Sequence, residues 1–327
     1  MQTATLDVLR HQLEDRKDRL EKAVARTGPE EDLVRLLQQV DTALGRLGTD
    51  DYGLCLVCRG HVDDRELVAN PLLPYCLCDL TPDQQKALEH DLGMAWKIQS
   101  ALLPDPDLLA DGWDAHYRYE PAGPVSGDYV DLWTRPGEEG SLYFAVGDVS
   151  GKGVAASLLM AHLHAFFHSQ PDGRADLVDL VERANRLLLA STLPTHYATL
   201  VIGRTDQGGE VEIVNAGHCP PVVARASALE TVSSTGFPIG LMDDKPYRSR
   251  HLRLAPGEAL VLYTDGLTEA RRSDGTDYGT GRVERVLADG ARGEPRRIVS
   301  RLRDDLHVFL DGAARGDDLT LLALRRV

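Results

Sequence analysis

The sequence predicts an α+β fold, with helices in the first third of the chain and a mostly antiparallel sheet in the rest. From residue 113 onward, short apolar runs are bounded by Gly, Pro and Asp, a pattern typical of strands. Helical stretches interrupt these runs without the strict alternation of a doubly wound parallel sheet. The predicted strands are 141–146, 198–202, 211–214, 259–263 and 319–324, and the predicted helices are about 153–170, 174–191 and 294–311.

Two amphipathic helices are predicted at the start of the chain, separated by the helix-breaking stretch 27–29. Their apolar stripes are Leu6, Leu9, Leu13, Leu20 and Val24 in the first, and Leu33, Leu37, Val40, Leu44 and Leu47 in the second. The second stripe alternates spacings of 4 and 3 residues, which is the seam of a coiled coil. The pattern fits an antiparallel hairpin and equally two helices of a bundle.

Four of the five cysteines are clustered in the pattern Cys55-x2-Cys58, seventeen residues, then Cys76-x-Cys78. A C-x2-C knuckle directs two thiolates to one Zn²⁺, and a second pair would complete a closed, structural tetrahedral site. The second pair is one residue shorter than the usual spacing. The alternative is a set of buried or surface thiols without metal.

A further helix is predicted over 81–104, between the cysteine cluster and the β-rich region. Thr81, Pro82 and Gln84 form its capping signal, and a proline pair ends it. Its apolar stripe is Leu88, Leu92, Ala95, Ile98 and Leu102. The helix is either a rigid connector or the contact of a homodimer. The predicted domains are therefore 1–80, a linker helix at 81–104, and 105–327.

Composition excludes several partners. The net charge is −15, and both sides of Pro104 are acidic, which argues against a nucleic-acid partner. No apolar run reaches the length of about 18 residues that a membrane span needs, so no membrane partner is expected. The N-terminal segment is charged and has no apolar core of a signal peptide, so we expect a cytoplasmic protein.

Four Gly-rich turns place carboxylates next to apolar strands: 126–131, 146–153, 263–266 and 316–320. A single turn of this kind is ordinary, but four beside strands favour one site for hard divalent cations. Two such ions about 4 Å apart could activate a water and hold a phosphoryl group. The candidate carboxylates are Asp128, Asp148, Asp265 and Asp317, with Asp131 and Asp318 as further candidates.

Other catalytic motifs fail on spacing. The stretch 147–153 has three residues where a nucleotide-binding phosphate loop needs four, and Gly where the loop needs Ser or Thr. The stretch around Ser150 does not have the G-x-S-x-G spacing of a hydrolase elbow. His164 and His168 lie four residues apart, but no Glu follows His164, so we interpret them as solvated or core histidines rather than zinc ligands.

The set of turns resembles the metal-dependent protein phosphatases (PPM, the phosphatase 2C class), and above all their bacterial SpoIIE/RsbU branch. The resemblance covers about residues 98–327, and its matching stretches are 98–104, 126–131, 147–156, 215–221, 236–241, 262–270 and 317–320. It implies an αββα sandwich with a binuclear Mn²⁺ or Mg²⁺ centre at the sheet edge. It also implies direct hydrolysis of phosphoserine or phosphothreonine by a metal-bound hydroxide.

The same resemblance implies the ligands. Asp148 would bridge the two ions and the Val149 carbonyl would add a ligand, whereas Asp265 and Asp317 would complete one ion. Asp128 would serve the same cluster or the second ion. The eukaryotic branch has a His where Val149-Ser150 stands here, so the general acid is not identified, and Ser150 or a metal-bound water could serve. We interpret His218 as a residue that orders its loop.

Residues 1–80 resemble the DksA/TraR module, a helical hairpin followed by a four-cysteine zinc finger. The matching stretches are 43–58 and 67–78. The turn at 26–31 does not show the acidic tip of that family, so contact with RNA polymerase is not inferred and a structural or sensory module is expected.

The sequence therefore predicts a protein serine/threonine phosphatase that carries one structural Zn²⁺. By analogy with its branch, the phosphorylated substrate would be a signalling protein such as an anti-sigma-factor antagonist. The alternative is a non-catalytic, transcription-linked adaptor that uses the phosphatase fold and the zinc finger for binding.

Overall fold

The structure is a computed structural model that describes residues 3–27, 31–47, 52–55, 61–73, 82–110, 112–135, 140–170, 176–192, 196–226, 228–243, 246–290 and 293–327. The chain divides into two compact units, Met1–Asp91 and Leu92–Val327. Within the described ranges, no helix combines the length and the apolar character that crossing a membrane requires.

The first unit contains α1 (Thr3–Thr27), α2 (Glu31–Leu47) and the short α3 (Asp64–Ala69). Only three residues join α1 to α2, and the two helices share one apolar core, so they form an antiparallel hairpin. The buried members of both predicted stripes are Leu9, Leu13, Leu20, Leu33, Val40 and Leu47. Lys17 and Asp41 connect the helices on the exposed side, at 2.7 Å.

Of the four predicted zinc ligands, one lies within the described residues. Cys55 is buried in the core of this unit, beside the hairpin. Cys58, Cys76 and Cys78 lie outside the described residues. The zinc therefore stays a prediction.

Helix α4 (Pro82–Leu102) corresponds to the predicted linker helix. Two residues of its predicted apolar stripe are exposed, Leu88 at 39% and Ile98 at 60%, and the other three are half-buried. One polar side chain on the same helix, Gln99, is buried instead. The helix is thus placed by a polar contact near its end, which the apolar stripe did not predict.

The second unit is built on two antiparallel sheets. One has the strand order β1-β2-β11-β10-β7-β8 and the other β3-β4-β5-β6-β9. The strands are β1 (Asp107–Ala110), β2 (Trp113–Glu120), β3 (Asp128–Thr134), β4 (Leu142–Val149), β5 (Ala198–Thr205), β6 (Glu210–Ala216), β7 (Val222–Ala224), β8 (Leu229–Thr231), β9 (Arg250–Arg253), β10 (Ala259–Tyr263) and β11 (Leu319–Arg326).

Three apolar clusters define four layers. The first lies between the β3–β4–β5–β6 sheet and the helices α5 (Val154–His168) and α6 (Leu177–Ser191). The second lies between the two sheets. The third lies between the other sheet and the helices α7 (Asp265–Thr268), α8 (Thr280–Gly290) and α9 (Pro295–Leu310). The expected αββα sandwich is therefore confirmed.

Strand β3 shows how one strand serves two of these layers. Tyr129 and Trp133 pack into the cluster with α5, whereas Val130 and Leu132 pack between the sheets. This is the two-residue alternation of a strand buried on both faces. Residues of opposite parity along β3 therefore face different layers, and this separates Asp128 from Asp131.

Candidate metal centre

Two of the predicted aspartates meet across a strand ladder. β3 and β4 are antiparallel neighbours, and their register places Asp128 directly opposite Asp148. Thr199 of β5 lies on the other side of Asp148. Both carboxylates therefore lie at one end of the same sheet, as the turns around them predicted.

The other two aspartates come from the facing sheet. β10 ends at Tyr263 and is followed by Asp265, the first residue of α7. β11 is the antiparallel partner of β10 and begins directly after Asp317 and Asp318. In an antiparallel pair the end of one strand lies beside the start of the next. Asp265, after β10, and Asp317, before β11, therefore lie at the same end of this sheet.

Two threonine hydroxyls join the sheets at Asp128. Thr264 Oγ1 donates to Asp128 Oδ2 at 3.0 Å, and Thr320 Oγ1 donates to the same oxygen at 2.5 Å. All three residues are buried. These bonds hold the start of β3 against the end of β10 and the start of β11. Sequence reasoning missed them although both threonines lie inside the quoted motifs.

Two glycines allow the close approach that the site needs. A Cβ on Gly127 would lie 2.9 Å from the Val149 carbonyl oxygen and 3.4 Å from Asp148 Oδ1. A Cβ on Gly266 would lie 1.7 Å from the Asp318 carbonyl oxygen. Real Cβ atoms do not tolerate such distances to backbone, so glycine is required at both positions.

Burial and mutual repulsion raise the pKa values of the carboxyl groups at this site. Burial, and then the charges of Asp265 and Asp317, raise the pKa of Asp148 to about 8. Burial, followed by Asp317, raises the pKa of Asp265 to about 6. Burial and Asp148 also raise the pKa of Asp128 well above its usual range. Buried carboxylates that repel one another are stabilised by a positive charge placed between them.

Lys152 supplies part of that charge. Its Nζ lies 3.1 Å from Asp317 Oδ1 and donates to the Gly316 carbonyl oxygen at 2.8 Å. Both side chains of this ion pair are about half exposed. Lys152 opposes the rise in the pKa of Asp148 and of Asp265. It is a half-exposed positive charge of the protein itself beside these carboxylates.

Asp318 has a different task from its neighbour. Its Oδ2 accepts from Ser126 Oγ at 2.7 Å and from the Gly127 N–H at 3.1 Å, and its Oδ1 accepts from the Ala122 N–H at 2.7 Å. A carboxylate with three donors of this kind anchors a loop. Asp318 therefore holds the turn that leads into Asp128.

Gln99 of α4 holds the same turn from the other side. Its Nε2 donates to the Ser126 carbonyl oxygen at 2.7 Å, and the Ser126 N–H donates to its Oε1 at 3.0 Å. This paired contact explains why a glutamine is buried at the end of α4. The resemblance to the phosphatase branch included Gln99, but no local pattern indicated its contact.

His218 is a structural residue, as the sequence suggested. Its backbone N–H donates to Asn215 Oδ1 at 2.8 Å, and its Nδ1 lies 2.7 Å from Thr199 Oγ1. Burial lowers the pKa of His218 to about 4, so the ring is neutral near pH 7. The Ser150 hydroxyl accepts the Tyr197 N–H at 2.9 Å and thereby shapes the turn after β4.

Asp131 does not join the other aspartates. It lies on the helix-facing side of β3, where it contacts Tyr129, His164 and His168. Val149, by contrast, is buried at the end of β4, and its N–H donates to the Gly127 carbonyl oxygen at 3.2 Å. The structure thus separates Asp131 and places Val149 beside Asp148.

The donor set suits Mg²⁺ or Mn²⁺. These ions prefer oxygen ligands, and the site offers the carboxylates of Asp148, Asp265 and Asp317 beside the Val149 backbone. Burial and neighbouring carboxylates raise the pKa values of Asp148 and Asp265 although Lys152 opposes the rise, so a further positive charge would stabilise the ionised forms. The chemistry of this donor set therefore fits hard divalent ions.

Replacement of Thr320 by Val tests the link between the sheets. Thr320→Val keeps the shape and removes one donor to Asp128, so we expect the free energy of unfolding to fall by about 1–2 kcal/mol. Urea denaturation measures it. Thr231→Val, at an exposed position of β8, is the control and should stay close to wild type. Equal stability of both variants would contradict the role given to Thr320.

The chain is similar to known proteins. A family model described as "Stage II sporulation protein E (SpoIIE)" matches residues 138–327. Protein IcfG of Synechocystis sp. is 28% identical over 261 residues, which is 70% of this chain and 40% of IcfG. Phosphoserine phosphatase RsbU of Bacillus subtilis is 23% identical over 245 residues, which is 74% of this chain and 72% of RsbU. The chain thus spans less than half the length of IcfG.

Solved structures agree on the fold. The SiaA-PP2C domain of Pseudomonas aeruginosa has a TM-score of 0.65 at 22% identity and covers 74% of this chain and 98% of its own. The RsbU and RsbW domains of Rv1364c from Mycobacterium tuberculosis have a TM-score of 0.56 at 29% identity, covering 68% of this chain and 61% of theirs.

Proposed function

The chain belongs to the SpoIIE family of PP2C-type phosphatase domains, and from this we propose that it is a metal-dependent phosphatase acting on phosphoserine and phosphothreonine in proteins. The observation that carries the proposal is the convergence of Asp148, Asp265 and Asp317: burial, and then the charges of the other two, raise the pKa of Asp148 to about 8. A non-catalytic adaptor would have no need of three mutually repelling carboxylates at one sheet edge.

Two Mn²⁺ or Mg²⁺ ions would be held by Asp148, the Val149 carbonyl, Asp265 and Asp317, with Asp128 at the same centre. When bound, such ions lower the pKa of water and stabilise charge on a phosphoryl group. Asp148 would contribute a ligand from one sheet, whereas Asp265 and Asp317 would contribute ligands from the other sheet.

Other residues of the chain have supporting tasks. Thr264 and Thr320 keep Asp128 in place between the sheets. Lys152, whose ammonium is half exposed, can exchange its contact with Asp317 for a phosphate oxygen. The neutral ring of His218 orders its loop and is not a proton donor at pH 7.

The substrate class is supported by the relatives. RsbU is named a phosphoserine phosphatase, and the Rv1364c structure contains RsbU and RsbW domains in one chain. A phosphorylated signalling protein, such as an anti-sigma-factor antagonist, is therefore the proposed substrate. A cytoplasmic location, as expected from the charged N-terminal segment, belongs to the same proposal.

The N-terminal unit and α4 would regulate the activity. The helical hairpin with Cys55, Cys58, Cys76 and Cys78 would carry one structural Zn²⁺ and act as a sensory or docking module. The exposed residues of the apolar stripe of α4, Leu88 and Ile98, would form a homodimer contact. Gln99 of the same helix is hydrogen-bonded to the turn before Asp128. A change in α4 would thereby reach the metal centre.

Metal removal and addition test the activity. We expect hydrolysis of a phosphoserine peptide and of p-nitrophenyl phosphate to be lost in EDTA and restored by excess Mn²⁺, because the centre supplies the charge that stabilises the transition state. Phosphate release is the measurement. A full chain that is folded by circular dichroism but shows no turnover with Mn²⁺ would favour the adaptor instead.

A further inference from the structure

A second group of metal-ligating side chains lies on the other face of β3. His164 and His168 stand one turn apart on α5 and both face the carboxylate of Asp131. His164 Nδ1 lies 3.2 Å from Asp131 Oδ2, and His168 Nε2 lies 2.7 Å from the same oxygen. One ligand atom from each residue falls within 4.8 Å of the other two.

Asp131 is the fixed member of this group. Its side chain is 2% exposed, its Oδ1 accepts the Leu132 N–H at 2.9 Å, and its Oδ2 accepts the Tyr129 hydroxyl at 2.7 Å. The hydroxyl and both imidazoles thus compete for one oxygen. A metal ligand whose carboxylate is oriented by a further hydrogen bond is the arrangement found in protein metal sites.

The distances suit a tetrahedral ion. Ligands about 2.0–2.2 Å from Zn²⁺ stand roughly 3.4 Å apart in tetrahedral geometry. The Asp131–His164 contact is already near that value, and a small rotation of the His168 ring would bring its nitrogen to it. The two rings are stacked with centroids 4.2 Å apart, so their nitrogens reach the carboxylate from the same side.

Chemistry and access select the ion. Two imidazole nitrogens and one carboxylate oxygen suit Zn²⁺, whereas Mg²⁺ and Mn²⁺ prefer the all-oxygen centre described above. The His168 side chain is 39% exposed and that of His164 is 17% exposed, so an ion can enter from solvent. Three protein ligands leave a fourth position for water.

We propose that Asp131, His164 and His168 bind one Zn²⁺ ion, which joins α5 to β3 and is separate from the aspartate centre and from the cysteine cluster. β3 begins at Asp128, and α5 follows the turn that leaves Asp148. The ion would therefore hold β3, which carries Asp128, to α5, which follows the turn after Asp148. It needs no role in the hydrolysis itself.

Equilibrium dialysis of the full chain against Zn²⁺, with Mg²⁺ in excess to occupy the aspartate centre, tests the proposal. Relative to wild type, the His164→Gln/His168→Gln variant should bind one Zn²⁺ fewer per chain. His168→Gln alone, at a partly exposed position, should weaken that site by at least about tenfold. His162→Gln, on the same helix but outside the group, is the matched control and should bind as wild type does.

A parallel measurement separates zinc binding from folding and from the cysteines. Zn²⁺ should raise the Tm of wild type and of Cys55→Ser by several degrees more than the Tm of the double histidine variant, because binding to the folded state stabilises it. Circular dichroism establishes that each variant folds. Equal Zn²⁺ stoichiometry and affinity in wild type and the folded double variant would overturn the proposal and leave a hydrogen-bonded His–Asp group.

Discussion

Replacement of Asp148 by Asn is expected to lower kcat/KM for a phosphoserine peptide by about 10³-fold. The reason is that weaker metal binding raises the free energy of the transition state by several kcal/mol. Asp148 is the carboxylate from β4 that faces Asp265 and Asp317 from the other sheet. The neutral amide keeps the shape but loses the negative charge that holds a cation. Steady-state phosphate release with Mn²⁺ measures the effect.

The same substitution should stabilise the metal-free protein at alkaline pH. In the folded, metal-free chain Asp148 keeps its proton up to about pH 8, whereas the unfolded chain releases it near its ordinary pKa of 3.8. The unfolded state therefore binds fewer protons between these values, and the stability of wild type falls as pH rises through that window. The amide side chain of the Asp148→Asn variant has no proton to release, so this decline is absent from the variant.

Urea denaturation in EDTA measures the difference. We expect the stability gap between Asp148→Asn and wild type to be small at about pH 4 and to reach a few kcal/mol above pH 8, at about 1.4 kcal/mol for each unit of pKa difference. Asp243→Asn, at an exposed position, is the control and should change neither activity nor the pH profile. A gap that does not depend on pH would contradict the electrostatic account.

Replacement of Gly266 by Ala is expected to destabilise the phosphatase unit strongly. The new Cβ would lie 1.7 Å from the backbone oxygen of Asp318, and backbone cannot rotate away as a side chain can. Asp318 and Asp265 must separate, so we expect a loss of about 3 kcal/mol in the free energy of unfolding, at the upper end of overpacking effects. Mn²⁺ affinity should fall as well, since Asp265 and Asp317 move apart.

Gly281→Ala is the matched control for this variant. A Cβ at Gly281, near the start of α8, meets no atom within 4 Å. Alanine should therefore stabilise the protein, by no more than about 1 kcal/mol. Urea denaturation and Mn²⁺ titration of both variants provide the comparison. If Gly266→Ala were as stable as wild type and bound Mn²⁺ equally well, the close packing of α7 on the start of β11 would be unnecessary for the site.

Two of the strands that the sequence predicted have the same hydropathy pattern. Those at 259–263 and 319–324 are continuous apolar runs because they are buried on both faces, and the observed β10 and β11 follow them closely. Strand β3 was missed as a strand because it begins with Asp128 and carries Asp131. Both carboxylates are buried there with hydrogen-bond donors from other elements, which local hydropathy cannot indicate.

The sequence by itself determined the chemistry of the molecule: its acidic turns, their order along the chain, the α+β class and the identity of the oxygen donors. These follow from residue type and from spacing over a few positions. The tertiary structure alone decided which donors meet. Thr320 bonds Asp128 from 192 residues away, and His168 reaches Asp131 from 37 residues away. Such contacts depend on how sheets and helices pack, so Asp128 and Asp131, three residues apart on one strand, contact different elements.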